Sequence, residues 1–129
     1  MSVDWSALKA AALAVQQRAY APYSDYRVGA ALLTEDGGIV TGCNVENATF
    51  GATCCAERTA VFSAVAAGHR SFRAIAVVTS GAEPGTPCGI CRQVLAEFGG
   101  DMDVLCFTPG GAEQTYRLSQ LLPFAFTLK

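Results

Sequence analysis

Apolar and polar positions divide this chain into short blocks of alternating period. Over 6–20 the apolar residues recur at helical spacing and stop short of Pro22, which predicts an amphipathic first helix. The run RVGAALL at 27–33 reads as a strand. Glu35-Asp36-Gly37-Gly38 is a turn signal, and 39–43 returns as a hairpin partner. Residues 44–53 are loop-like. Helical period resumes over 55–67, with Gly68 as its cap. The β-branched run AIAVVT at 74–79 is a buried strand, 81–87 is turn-rich, and 88–98 is helical up to Gly99-Gly100. Strands over 104–108 and 115–118 flank a turn at Gly110-Gly111, and 121–126 forms a short terminal segment. The order α-β-β-α-β-α-β-β predicts a mixed sheet with helices on its faces.

Composition narrows this picture. The 129 residues make one domain, spanning 1–129, with enough chain for a real core. Hydrophobic residues reach 51% and mean hydropathy is +0.30, a surplus that fits surfaces covered by other subunits. No apolar stretch reaches 18 residues, so a membrane span is not expected. Net charge is -2, and the nine basic residues are scattered, so no track for a nucleic-acid polymer is expected. The N-terminus carries Asp4 and no basic region ahead of an apolar core, which is not a signal-peptide pattern. A cytoplasmic setting follows by default, and there six cysteines suggest metal or catalysis before disulfides.

Two cysteine clusters fall where a loop becomes a helix: TCCAERTA at 53–60 and PCGICR at 87–92. Helix N-termini favour thiolate. Cys88 and Cys91 are i, i+3, and Cys55 at the other helix start would complete three zinc ligands with a fourth position open. Glu57 can reach that open position from the first helical turn and move protons there. Three thiolates leave a surplus negative charge. Arg58, at i+3 from Cys55, would offset it by donating to the sulfurs, with Arg92, at i+4 from Cys88, as a second donor. Other readings of the same residues stay open. Cys88-x-x-Cys91 also suits a redox dithiol, and Cys54 could close a structural four-cysteine site or simply be buried as a small hydrophobe. Cys43 and Cys106 read as core, His69 as a surface residue at a helix end, and Arg58 could merely pair with Glu57.

Cys55-Ala56-Glu57 followed by Pro87-Cys88-Gly89-Ile90-Cys91 resembles the zinc deaminase signature, with Cys in place of His. More closely, APYSDYRVGAAL (21–32), GCNVENATFG (42–51), CAERTA (55–60), PCGICRQVLAEF (87–98) and LLPFAF (121–126) are similar, in order, to the small homotetrameric cytidine deaminases. The resemblance implies a three-layer α-β-α fold around a five-stranded mixed sheet. It implies one Zn²⁺ per chain on Cys55, Cys88 and Cys91, with Glu57 as proton shuttle. Asn44 and Glu46 would bind the ribose hydroxyls, and the Ala56 N–H would meet the base carbonyl. Tyr26 would pack near the pyrimidine, where the family usually has Phe, and Phe126 would reach a neighbouring subunit's site. The implied reaction is hydrolytic deamination of free cytidine and 2′-deoxycytidine to uridine and 2′-deoxyuridine plus ammonia, by zinc-activated water, in pyrimidine salvage. A blasticidin S-type nucleoside deaminase is the rival enzyme, and a zinc or redox CxxC module the non-catalytic rival.

Overall fold

Asp4 opens the first helix. Its carboxylate accepts from the Ala7 N–H at 3.1 Å and caps α1 (Trp5–Gln16) in the computed structural model, which describes residues 2–128. The helix ends four residues before the periodicity does. Tertiary pairing takes over at that point: Gln16 is buried with its amide donating to Arg27 O at 3.1 Å, and the Tyr20 N–H goes to Asn44 O at 3.0 Å.

The strands are β1 (Val28–Thr34), β2 (Ile39–Cys43), β3 (Phe72–Thr79), β4 (Asp103–Phe107) and β5 (Glu113–Arg117), ordered β2-β1-β3-β4-β5. All neighbours run antiparallel except β3 and β4, which are parallel, so the sheet is mixed as expected. The parallel pair requires a crossover, and α3 (Gly89–Gly99) supplies it. The other helices are α2 (Ala56–Ala66) and a short α4 (Leu118–Leu121). Residues 118–121 correct the expected run of strand through 118 and the expected terminal segment from 121. The chain turns helical at Arg117, whose N–H is taken by the Gln120 side chain at 2.8 Å.

Alternation along the strands separates two apolar layers. Ala31, Leu33, Ala76 and Val78 face α1 through Leu8 and Ala12. Ala30, Leu32, Ile75, Val77 and Val104 face α2 and α3 through Ala60, Val61, Ala64 and Leu95. This is the three-layer α-β-α arrangement. Close approach between layers depends on glycine. A Cβ on Gly29 would lie 2.2 Å from Ala12 O of α1, and one on Gly42 would lie 2.4 Å from Ala60 N and 2.6 Å from Ala56 O of α2. Gly42 therefore lets α2 sit against β2, which sets where α2 begins.

Candidate active site

Cys55 and Cys88 are the N-cap residues of α2 and α3. Both have extended backbone, and neither side chain makes the capping hydrogen bond, so both sulfurs are free for other work. Cys91 follows one turn into α3 and is buried. The two helix starts bring these three sulfurs within 4.8 Å of one another, with Cys55 Sγ and Cys88 Sγ 3.9 Å apart. Among the described residues they form the one such donor cluster. A zinc ion fits this donor set, since the three sulfurs converge and two of the cysteines, Cys55 and Cys88, line a cavity that leaves room for a further ligand. The lining of that cavity, about 200 Å³, includes Tyr26, Asn44, Cys55, Ala56, Glu57 and Cys88.

Arg58 lies against this donor set. Its Nη2 donates to Cys55 Sγ at 3.3 Å, while its buried Nε has no hydrogen-bond partner among the described residues. The Cys55 thiol is pulled down to about 5, first by the hydrogen bond from Cys91 and then by Arg58. The Cys91 thiol is pushed up by that same sharing with Cys55 and by burial. The Arg58 guanidinium is held more firmly protonated by its hydrogen bond to Cys55. Glu57, only 5% exposed, has its carboxyl pushed up to about 7 by burial, with the Cys55 charge adding to the effect.

Arg92 corrects the expectation of a second donor to sulfur. Its Nε donates to Pro87 O at 2.7 Å, Nη1 to Leu121 O at 2.7 Å and Nη2 to Thr86 Oγ1 at 3.0 Å. It ties the segment before Cys88 to α3 and α4. No motif pointed to that role, because Leu121 is 29 positions away in sequence.

Asn44 and Glu46 are buried and committed to residues 23–28, the segment that leads into β1. Asn44 Oδ1 accepts from the Val28 N–H at 2.9 Å, and its Nδ2 donates to Tyr26 O at 2.8 Å. Glu46 Oε1 accepts the N–H groups of Tyr23 and Ser24 at 2.9 and 3.2 Å, and its Oε2 accepts the Ser24 hydroxyl. That hydroxyl is the main cause holding the Glu46 carboxyl below its usual range. Glu46 lines a second hollow of about 410 Å³, which shares Thr53 with the cysteine cavity.

The remaining candidates divide. Ala56, as the first residue of α2, has an N–H without an intrahelical acceptor. Tyr26 is 41% exposed at the cavity wall. Phe126 is 68% exposed on the tail, where its carbonyl accepts from Gln93 at 3.0 Å, and it does not line this chain's cysteine cavity. Cys54 is half-buried rather than core, and its sulfur accepts from the Thr59 hydroxyl at 3.6 Å, outside the trio. Cys43 is likewise half-buried. Cys106 is buried, and its thiol is pushed up to about 12 by burial. His69 is partly exposed after α2, and Arg58 makes no surface pair with the buried Glu57.

Residues 3–108 match the family described as cytidine and deoxycytidylate deaminase zinc-binding region. The chain is 48% identical to the cytidine deaminase of Sporosarcina psychrophila over 126 residues, 97% of this chain and 93% of that protein. It is 49% identical to the cytidine deaminase of Halalkalibacterium halodurans over 90% of this chain and 89% of that one. The crystal structure of cytidine deaminase from Burkholderia pseudomallei superposes with a TM-score of 0.92 at 50% identity, covering 96% of this chain and 100% of that one.

Proposed function

The chain belongs to the cytidine and deoxycytidylate deaminase zinc-binding family, and from that premise we propose how its own residues carry out the reaction. The reaction is hydrolytic deamination of free cytidine and 2′-deoxycytidine, in which water replaces the amine at C4 and ammonia leaves. The observation that carries this reading is one cavity lined by Cys55 and Cys88 of the sulfur trio together with the buried carboxyl of Glu57.

Cys55, Cys88 and Cys91 hold one zinc per chain. Bound there, zinc supplies Lewis-acid activation of water near neutral pH. Glu57 Oε takes one proton from the attacking water and delivers it to the ring nitrogen, then takes the second, from the hydroxyl now on C4, and delivers it to the departing amine. A carboxyl pushed up to about 7 is suited to both directions of transfer. Arg58 offsets the surplus charge of three thiolates through its contact with Cys55. The Ala56 N–H meets the base carbonyl, and Tyr26 packs against the ring.

Asn44 and Glu46 bind the ribose hydroxyls with the capacity the fold leaves them. A carboxylate offers about four lone-pair positions, and Glu46 uses three on residues 23 and 24. The same carboxylate would repel a phosphate, which favours nucleosides over nucleotides. Phe126 serves a neighbouring chain's cavity in a homotetramer. Its exposure supports this, as does that of Phe50 at 78%, Phe62 at 51% and Ile90 at 62%. The chain forms a single domain over 1–129. Among the described residues no helix is long and apolar enough to cross a membrane. Six free cysteines suit a reducing cytoplasmic setting, and deamination of free nucleosides suits a role in pyrimidine salvage.

Ultraviolet absorbance of cytidine incubated with the purified protein, beside a blasticidin S sample and a zinc assay, tests the reading. Conversion of cytidine with about one zinc per chain is expected. Activity on blasticidin S alone would move the substrate, and a metal-free, inactive chain would favour the redox pair.

A further inference from the structure

We propose that Gly85 and Tyr26 form a size-matched pair that sets the width of the catalytic cavity, which makes Gly85 a specificity-determining position for the pyrimidine. The proposal rests on the deaminase reading above. Both residues line the cavity with Cys55 and Glu57. A Cβ built on Gly85 would lie 2.7 Å from Tyr26 Oη, closer than such atoms approach in folded proteins. It would also lie 3.2 Å from Thr79 Cγ2. Gly85 is not among the positive-φ glycines, so its backbone would accept a side chain. Its neighbours, and the phenol first among them, are what exclude one.

The backbone of both partners is held, so the phenol ring is what must give way. The Gly85 N–H donates to Thr79 Oγ1 at 3.1 Å, and the next two residues are gripped by Arg92 through Thr86 Oγ1 and Pro87 O. Moving that segment would pull on Cys88. Tyr26 is fixed at its carbonyl by Asn44 Nδ2 at 2.8 Å and at its N–H by Ser24 Oγ at 3.0 Å. Its hydroxyl moves only with the whole ring. A methyl at position 85 therefore displaces a ring that forms part of the wall of a cavity of about 200 Å³, the space the base must enter. The sulfurs and Glu57, on α2 and α3, stay where they are. With the hydroxyl gone, only the Thr79 methyl at 3.2 Å remains close, and it needs to yield by only a few tenths of an ångström.

Four chains test the pair: the natural protein, Gly85→Ala, Tyr26→Phe and the double variant, each measured for cytidine KM, kcat and zinc content. Gly85→Ala is expected to raise KM about tenfold, with kcat within about threefold and zinc retained. In the Tyr26→Phe background the same substitution is expected to raise KM less than about twofold. Equal KM increases in both backgrounds, or none in either, would overturn the pairing. If the natural protein fails to deaminate cytidine, the deaminase reading fails. Melting temperatures of the four chains then decide the pair separately: a loss from Gly85→Ala that Tyr26→Phe suppresses supports it, and additive losses overturn it.

Discussion

Gly42→Ala perturbs the site from beneath without touching any proposed ligand. The new methyl would sit 2.4 Å from Ala60 N, 2.6 Å from Ala56 O and 2.9 Å from Ala60 Cα, where ordinary contact begins at 3.4 Å. These are backbone atoms of α2, so no side chain can swing aside, and the helix must lift from β2 by about 1 Å. Overpacking of this kind costs about 3 kcal/mol at the upper end of its usual range. With an unfolding entropy of about 0.27 kcal/mol/K for a chain of this length, the melting temperature falls by about 11 °C. The same shift displaces Cys55, Glu57 and Arg58 together relative to Cys88 and Cys91 on α3. A misplacement of that size is expected to weaken zinc binding at least tenfold and lower kcat about 100-fold. Gly29→Ala is the control. Its methyl would meet Ala12 O at 2.2 Å, but α1 lies on the other face of the sheet and carries no site residue. Thermal melts with a chelator-competition zinc assay, run well below both transitions, separate the two. Both variants should lose stability and only Gly42→Ala should lose zinc. If Gly42→Ala melts within 3 °C of the natural chain and keeps its zinc affinity, α2 is not seated through Gly42 and the reasoning fails.

Arg58→Ala removes the charge-assisted contact to Cys55, so zinc affinity or kcat should fall roughly 10- to 100-fold, read by metal competition and steady-state kinetics. Unchanged values in both would end its charge-compensating role. Arg92→Met frees Pro87 and Leu121 from α3 and should lower the melting temperature while weakening zinc binding less than loss of a cysteine does. An unaltered melt would mean the grip is idle. In the metal-free chain at pH 7 Cys55, pulled down to about 5, should already be thiolate, while Cys91, pushed up, should keep its proton. Thiolate absorbance of the metal-free chain between pH 4 and 7 follows this, and no thiolate by pH 7 would contradict the assignment.

The chemistry was more legible than the geometry that holds it. Cys55, Cys88 and Cys91 stood out because thiols at two helix starts, one with i, i+3 spacing, can converge by local structure alone. Arg58 followed from the same helical arithmetic. Arg92 has the same kind of spacing to Cys88, yet backbone carbonyls of segments distant in sequence captured it. Helix α1 stops at Gln16 and α4 begins at Leu118 for similar reasons: pairing to Asn44 O in one case, and in the other an Asp101 carboxylate that takes the Ser119 N–H at 2.9 Å. Periodicity carries no information on such contacts. The commitment of Asn44 and Glu46 to residues 23–28 was likewise invisible, since their motif suggests a ligand and says nothing of which backbone they brace.

Glu57 is proposed to move the protons of a deamination carried out at the three-cysteine site. The direct measurement is the rate of cytidine conversion to uridine by the natural chain and by Glu57→Gln, each with zinc content determined on the same sample. About one zinc per chain is expected in both proteins, with turnover in the natural chain and a kcat lower by about 100-fold or more in the variant. Equal turnover in the two zinc-loaded proteins would contradict it.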